Sequence, residues 1–360
     1  MSEALGGLRR QIDDLDDRIL ALLNERARLA QAIGHLKNGN VYRPEREAQV
    51  VRRLQAANAG PLPTEAVERL FREIMSACRA LEQPLTVAYL GPTGTFSEAA
   101  AIKQFGHAVQ GVPKASIDEV FQAIERGEVQ FGIVPVENST EGAVNRTLDL
   151  LLTSPLKICG EVMLRVRQHL MRRADAVAGE EGLEGIEVVY SHAQSLAQCH
   201  EWLNQNLPQA RRIRVTSNGE AARMAAEDRA AAAVAGELAA ERHGLCIVAR
   251  DIEDDPNNTT RFLVLSREDA APSGRDKTSL VMSTKNRPGT LLELLTPFAR
   301  NGISLTKLES RPVRNGLWEY VFFIDIEGHR EDAVVRDTLA QVEPHTTLLK
   351  VLGSYPMATS

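Results

Sequence analysis

The spacing of apolar residues divides the chain into three segments. Residues 5–83 have a helical period, residues 85–267 alternate short apolar runs with helical stretches, and residues 277–353 alternate again over shorter distances. The stretch 268–276, EDAAPSGRD, is small and polar and contains Pro and Gly, which is typical of a linker. Pro84 disfavours helix at the residue before it, and LTVAYLG then begins a strand. We therefore predict three domains, at residues 1–84, 85–268 and 277–354.

Cations interrupt the apolar face of the first predicted helix. The apolar residues on this face are Ile12, Leu15, Ile19, Leu22, Leu29 and Ile33. Arg26 and Lys37 lie on the same face, whereas Arg9 points roughly 100° away from Arg26. Two further predicted helices bring Glu47 and Glu82 toward the same interior. Cations in an apolar stripe are costly unless an anion meets them, so the set fits either a buried ion-pair network or a dianionic ligand. The surplus of cations favours the ligand.

This segment resembles the all-helical chorismate mutases over residues 5–83. The stretches that carry the resemblance are LRRQIDDLDDRILALLNERARLAQAIGHLK and, after it, VYRPEREAQVVRRL. The resemblance implies an intertwined dimer in which each site takes Arg9 from the partner subunit. The rearrangement is pericyclic and needs no nucleophile, base or metal. Catalysis then rests on holding a compact conformer and on cations that face the oxygen gaining negative charge.

The resemblance also implies a role for each polar residue of this site. Arg26, Lys37 and Arg46 would hold the two carboxylates and the enol ether oxygen of the substrate. Glu47 would bind the substrate hydroxyl, and Glu82 would donate to the ether oxygen.

The sequence departs from some relatives at three positions of this predicted site. Arg43 and Cys78 stand where some relatives have Asp and Ser, and we expect both at the edge of the substrate site. Glu82 stands where some relatives have Gln, which implies a different dependence of the rate on pH.

Polar clusters follow the predicted strands of the second segment. They are GPTGTFSE (91–98), ENST (137–140), SHAQSLAQ (191–198) and NNTTRF (257–262), the last of which opens a strand. Strand–helix alternation predicts parallel sheets, and ligands of such folds bind off the carboxyl ends of the strands. Each cluster alone is ordinary turn and cap chemistry. Four clusters at equivalent ends favour a ligand-binding cleft. We expect His192, which lies inside one cluster, to be structural rather than catalytic.

The motifs GPTGTFS, VPVENS, YSHAQSLAQC and TTRF together resemble prephenate dehydratase across residues 86–267. The resemblance implies two α/β lobes around a cleft, like a periplasmic binding protein. It implies that Thr260 assists departure of the ring hydroxyl, either as a proton donor or by positioning a water, and that Arg261 binds a substrate carboxylate. The implied residues of the cleft are Glu137, Asn138, Ser191, Gln194 and Gln198, with Thr93 and Ser97 near the substrate.

The third segment has the element order βαββαβ, which is a ferredoxin-like pattern. Asn315-Gly316 marks its central hairpin. The motifs NRPGTLL and LESRP resemble the ACT regulatory domain, in which phenylalanine binds between paired domains; a simple dimerisation module is the alternative. The residues implied in phenylalanine binding are Asn286, Pro288, Gly289, Thr290, Leu291, Glu309, Ser310, Arg311 and Pro312.

Composition narrows the class of protein. The net charge of −6 and the scattered basic residues argue against a nucleic-acid partner. No apolar stretch approaches the roughly 20 residues of a membrane span, and we expect no signal peptide. The four cysteines include no CxxC pair, which favours a reducing compartment such as the cytoplasm. Motifs for a metal or a nucleotide are lacking, so we expect no cofactor.

We therefore hypothesise a bifunctional enzyme of phenylalanine biosynthesis. It would convert chorismate to prephenate and then to phenylpyruvate, as a homodimer or higher homo-oligomer inhibited by phenylalanine. The alternative is an amino-acid-sensing regulator with inactive enzyme-like domains. Retention of Arg9, Arg26, Lys37 and Arg46, together with Glu137 and Thr260, favours the enzyme.

Overall fold

The computed structural model describes residues 2–36, 42–177, 182–285, 287–312 and 320–358. Three of the sequence predictions, on Lys37, on Asn286 and on the hairpin at Asn315-Gly316, lie outside these residues. Within the described part of the chain, no helix has the length and apolar character needed to cross a membrane.

The first segment is helical, as the apolar period predicts. It comprises α1 (Ser2–Leu36), α2 (Pro44–Ala57) and α3 (Thr64–Ala80). In the single chain the predicted apolar stripe of α1 stays uncovered: Ile12, Leu15, Ile19, Leu22, Leu29 and Ile33 are each 49–63% exposed. Leaving six large apolar side chains in water is unfavourable, at about 25 cal/mol per Å² of apolar surface. The stripe is therefore a surface that fits burial by another chain.

Tyr42 anchors the helical segment to the middle segment. The side chain is 2% exposed. Its ring centroid lies 4.9 Å from that of Phe105 and 5.1 Å from that of Phe131. Gln104 Nε2 donates to the phenol oxygen at 2.8 Å. Burial raises the pKa of Tyr42 to about 12.

Replacement of Tyr42 tests this anchor. We expect Tyr42→Ala to lower the stability of the full chain by about 3 kcal/mol, because it leaves a cavity among aromatic rings. Tyr42→Phe should cost only about 1 kcal/mol, for the lost hydrogen bond. Thermal unfolding measures both changes. The matched control is Tyr320→Ala, at a tyrosine that is 37% exposed, and an equal loss there would contradict the anchoring role.

The middle segment forms two α/β lobes. The first lobe contains β1 (Thr86–Leu90), α4 (Phe96–Phe105), β2 (Gln110–Lys114), α5 (Ile117–Glu125), β3 (Phe131–Asn138), β4 (Gly142–Ala143), α6 (Asn145–Thr153), β5 (Lys157–Arg165) and, later in the chain, β11 (Thr259–Ser266). The second lobe contains β6 (His169–Arg173), β7 (Val188–His192), α7 (Ala193–Gln198), α8 (His200–Asn206), β8 (Arg211–Val215), α9 (Asn218–Glu227), β9 (Ala231–Ala235), α10 (Glu237–His243) and β10 (Leu245–Ala249).

The two sheets are mixed rather than parallel, so this part of the prediction is wrong. In the first lobe the strand order is β2-β1-β3-β11-β5, with β4 beside β3. Here β1 pairs parallel with β2 and β3, but β11 runs antiparallel to both of its neighbours. In the second lobe the order is β10-β6-β9-β7-β8, and β6 is antiparallel to β9 and β10. The physical reason is that β11 returns from the second lobe and inserts into the first sheet.

The third segment confirms the predicted βαββαβ order. Its elements are β12 (Asp276–Ser283), α11 (Thr290–Arg300), β13 (Leu305–Pro312), β14 (Tyr320–Glu327), α12 (Ala333–Val342) and β15 (Leu348–Pro356). The sheet order β13-β14-β12-β15 is antiparallel throughout. This domain packs closely on the first lobe: a Cβ on Gly353 would collide with the backbone of Ile158.

Candidate active sites

A cleft of about 740 Å³ separates the two lobes of the middle segment. The first lobe lines it with the β1–α4 loop, the end of β2 and residues of β3 and β11, and the second lobe with the loops that open α7 and α9. These loops follow the carboxyl ends of parallel strands, where α/β folds bind ligands. The side chains of Thr93, Ser97, Gln194 and Gln198 line this cleft.

Thr260 and Asn138 form a hydrogen-bonded pair in the wall of the first lobe. Asn138 Nδ2 donates to Thr260 Oγ1 at 2.8 Å and to Asn258 Oδ1 at 2.9 Å. The Asn138 amide has one orientation, because its Oδ1 accepts from the backbone N–H groups of Thr140 and Glu141, at 3.0 and 3.2 Å. Since Thr260 Oγ1 accepts from Asn138, its own O–H can point into the cleft as a donor.

Asn218 organises the wall of the second lobe. Its Oδ1 accepts from the Ser195 hydroxyl at 3.1 Å and from the backbone N–H of His192 at 3.2 Å. Ser195 Oγ in turn accepts from Gln168 Nε2 at 3.0 Å. This network fixes the start of α7 against α9 and so sets the shape of the cleft.

Three buried amide atoms at or beside the cleft have no hydrogen-bond partner within the described residues. They are Gln168 Oε1, Gln198 Nε2 and Asn258 Nδ2. Gln168 and Gln198 line the cleft, and Asn258 contacts Asn138 in its wall. An unsatisfied buried polar atom costs about 1–3 kcal/mol, so these amides leave unmet hydrogen-bonding capacity in the walls of the cleft.

The structure places three of the predicted cleft residues elsewhere. Ser191 is fully buried behind the wall, where its hydroxyl donates to the Val234 carbonyl at 2.6 Å. Glu137 and Arg261 lie on the opposite face of β3 and β11, toward the C-terminal domain. The physical reason is the alternation of a β-strand: Thr260 and Asn138 face the cleft, so the residues beside them face away.

Sequence reasoning missed Lys114, Gln168 and Asn218, which all line the cleft. Lys114 ends β2 and lines the cleft, where it forms an ion pair of 3.1 Å with Glu128. Its position at the carboxyl end of a parallel strand was an available signal, but β2 itself was not predicted. Gln168 and Asn218 lie outside the recognised motifs, and their network depends on contacts between distant segments.

The helical segment brings together only part of its predicted site within one chain. Arg26, Glu47 and Glu82 are half-buried, whereas Arg9, Arg43 and Arg46 are exposed and Cys78 is buried. The Glu82 carboxylate lies directly against Gly34 of α1, since a Cβ there would meet it at 2.5 Å.

Arg79 is a further buried cation that sequence reasoning missed. It forms an ion pair with Glu47, and its Nη2 donates to the Phe105 carbonyl at 2.7 Å. Burial lowers the pKa of Arg79, and the nearby Arg26 acts in the same direction. Arg79 therefore ties Glu47 to the end of α4 in the middle segment.

The predicted effector residues surround the start of α11 and the strand β13. Gly289 has φ +86 and precedes α11, a conformation that favours glycine. Thr290 is buried, and Leu291 is 37% exposed. Arg311 forms an ion pair of 2.9 Å with Asp149 of α6, so part of this motif contacts the middle segment.

Each of the three segments matches a known protein family. Family models match Chorismate mutase type II over residues 8–83, Prephenate dehydratase over 87–270 and the ACT domain over 278–344. A bifunctional chorismate mutase/prephenate dehydratase from Neisseria gonorrhoeae is 54% identical over 97% of this chain and 96% of that protein. One from Stutzerimonas stutzeri is 51% identical over 99% of this chain and 100% of that protein.

A solved structure also matches the second and third segments. The prephenate dehydratase from Arthrobacter aurescens in complex with L-Phe has a TM-score of 0.68 and 34% identity, and the match covers 76% of this chain and 90% of that one. The chain is thus a fusion of a mutase, a dehydratase and an ACT domain. It belongs to the family of bifunctional chorismate mutase/prephenate dehydratases.

Proposed function

We propose that this chain rearranges chorismate to prephenate in its helical domain and converts prephenate to phenylpyruvate in the cleft. The observation that carries the second step is the Thr260–Asn138 pair, which faces the cleft beside unsatisfied amides. The experiment that tests the proposal supplies prephenate directly to the purified chain and follows phenylpyruvate. Failure to form phenylpyruvate would remove the dehydratase assignment.

The dehydration needs little beyond orientation and a donor at the leaving oxygen. Loss of CO₂ and water is driven by aromatisation, so a hydrogen bond from Thr260 to the departing hydroxyl lowers the barrier. Prephenate is a dianion. The groups in the cleft that suit its carboxylates are Lys114, His192 and the N–H groups that open α4 and α9. Gln194, Gln198, Thr93 and Ser97 are the neighbouring polar contacts.

The mutase site is completed by a second copy of the chain. The exposed stripe of α1 gives a homodimer its interface, and Arg9 then reaches the partner subunit's site. Arg26, Lys37 and Arg46 bind the carboxylates and the ether oxygen. Glu47 receives the hydroxyl and Glu82 donates to the ether oxygen. The free cysteines Cys78, Cys159 and Cys199 are buried, which suits the reducing conditions of the cytoplasm.

Phenylalanine is the proposed effector of the C-terminal domain. The relative from Arthrobacter aurescens was solved with L-Phe, and the turn at Pro288-Gly289 leads into α11, whose first N–H groups suit a carboxylate. Leu291 offers apolar surface to a side chain, and Glu309 lies beside Ser310 on β13. Binding between two such domains would favour one arrangement of the dimer.

Replacement of Gly289 tests the effector site. A valine at φ +86 is strained and crowds the approach to α11, so Gly289→Val should raise the half-inhibitory phenylalanine concentration about tenfold or more. The control is Gly302→Val, which introduces similar strain at φ +66 beyond the other end of α11. A titration of dehydratase rate with phenylalanine measures both. Equal inhibition of both variants and of wild type would place the inhibitory site in the cleft.

A further inference from the structure

A buried charged cluster joins the dehydratase domain to the ACT domain. Its members are Glu161 of β5, Arg261 of β11, Lys277 and Ser279 of β12, Asp325 of β14 and Tyr355 of β15. Each of these six residues, here called the interface cluster, is at most 9% exposed. Two members belong to the dehydratase domain and four to the ACT domain.

Arg261 uses three guanidinium nitrogens within the interface cluster. Nε donates to Glu161 at 2.8 Å, Nη1 to Asp325 at 2.6 Å and Nη2 to the Tyr355 hydroxyl at 2.9 Å. Burial opposes its charge, but Tyr355, Asp325 and Glu161 outweigh burial and raise the pKa of Arg261. Arg261 is therefore fully engaged on the side of its strand that faces away from the substrate cleft.

Glu161 and Asp325, the two carboxylates of the interface cluster, each have a second hydrogen-bond partner in the ACT domain. Lys277 Nζ lies 2.9 Å from both oxygens of Glu161, and Ser279 Oγ donates to Asp325 at 2.5 Å. Two cations thus meet two carboxylates, so the cluster has no net charge. Buried charges are tolerated only when their partners are well placed, which makes the geometry of this cluster strict.

The interface cluster begins one residue away from the hydrogen-bonded pair of Thr260 and Asn138. On the antiparallel strands β11 and β3, Thr260 is opposite Asn138 and Arg261 is opposite Glu137. Successive residues of a strand face opposite sides. The first pair therefore faces the cleft while the second faces the ACT domain, where Glu137 forms an ion pair of 2.9 Å with Lys307.

We infer that Arg261 is a positioning residue for dehydration, which holds β11 from behind so that the Thr260 hydroxyl keeps its place against Asn138. The inference rests on the proposed role of Thr260. Misplacement of a reacting group by about 1 Å can lower the rate by about 10²-fold. Four members of the interface cluster belong to the ACT domain. A rearrangement of that domain would therefore move Arg261 and, with it, the strand β11 that carries Thr260.

The test uses the full-length chain and compares Arg261→Met, Asp325→Asn and Lys350→Met. Asp325 lies in the ACT domain and is isosteric with the asparagine that replaces it. Lys350 is the matched control: its Nζ bonds the carbonyls of Leu151, Leu152 and Ser154 across the same domain boundary but makes no hydrogen bond to β11. Dehydratase kcat and KM for prephenate are measured well below the lowest melting temperature of the set.

We expect Arg261→Met and Asp325→Asn to lower kcat about tenfold with KM nearly unchanged. Lys350→Met should lower the melting temperature but keep kcat. A large rise in KM with Arg261→Met would instead make Arg261 a substrate ligand and overturn the inference. So would unchanged kcat in the two cluster variants, or an equal loss in all three variants. A parallel Thr260→Ala variant that kept its kcat would remove the proposed role of Thr260 as well.

Discussion

Thr260→Ala should lower the dehydratase kcat by about 10²–10⁴-fold and leave the mutase rate unchanged. The Thr260 hydroxyl accepts from Asn138 and has its own hydrogen to donate into the cleft. In general acid catalysis, removal of a positioned proton donor or hydrogen-bond donor lowers the rate by this factor. The mutase should not respond, because its proposed residues all precede Pro84 in the chain and so lie outside the dehydratase domain. Separate assays with prephenate and with chorismate measure the two rates.

The neighbouring threonine gives a matched control. Thr259 does not line the cleft, and its hydroxyl donates to the Asn257 carbonyl at 3.1 Å. We expect Thr259→Ala to keep near wild-type dehydratase activity and Thr260→Ser to retain much of it. If Thr260→Ala were as active as Thr259→Ala, the Thr260 hydroxyl would have no part in the chemistry.

Mixed dimers of Arg9→Ala and Arg26→Ala should recover mutase activity that neither variant has alone. Each single variant should lose about 10²-fold or more, because a cation facing the developing charge is removed. In the proposed dimer, a site combines Arg26 of one chain with Arg9 of the other. A mixed dimer then contains one complete site. Mixed dimers, isolated through a different affinity tag on each variant, should therefore have about half of the wild-type rate.

The readout is mutase kcat in co-expressed variants purified by two different affinity tags. Dehydratase activity is the internal control, since neither arginine lies in the cleft, and it should stay constant across the set. If mixed dimers formed but no mutase activity returned, Arg9 would act within its own chain. That result would contradict the proposal that each mutase site combines residues of two chains.

Local patterns predicted much of this fold. The 3.6-residue period located α1. A capping box is visible in the sequence at Ser116 and Glu119, and at the start of α5 Glu119 N donates to Ser116 Oγ at 3.2 Å. The strand β2 was missed because its sequence QGVPK contains Gly and Pro and lies at a sheet edge. The strand β6 was missed because HLMRR has too few apolar residues to be recognised as a buried strand.

Arg172 shows why some buried cations cannot be predicted. It is 2% exposed, and its guanidinium donates to the carbonyls of Gly182, Glu184 and Arg229. These carbonyls come from distant turns that the sequence does not bring together. Arg261 is a different case. The alternation of TTRF already implied that Arg261 and Thr260 face opposite sides, whereas the family resemblance implied a shared cleft.

The most direct test of the two-step account follows chorismate through the wild-type chain. Purified full-length protein is given chorismate alone, and all three compounds are measured over time. We predict that chorismate disappears, prephenate rises and then falls, and phenylpyruvate accumulates to match the chorismate consumed. In the Thr260→Ala variant prephenate should accumulate instead. Chorismate that remained unchanged in the presence of folded wild-type protein would contradict the account and favour an amino-acid-sensing regulator.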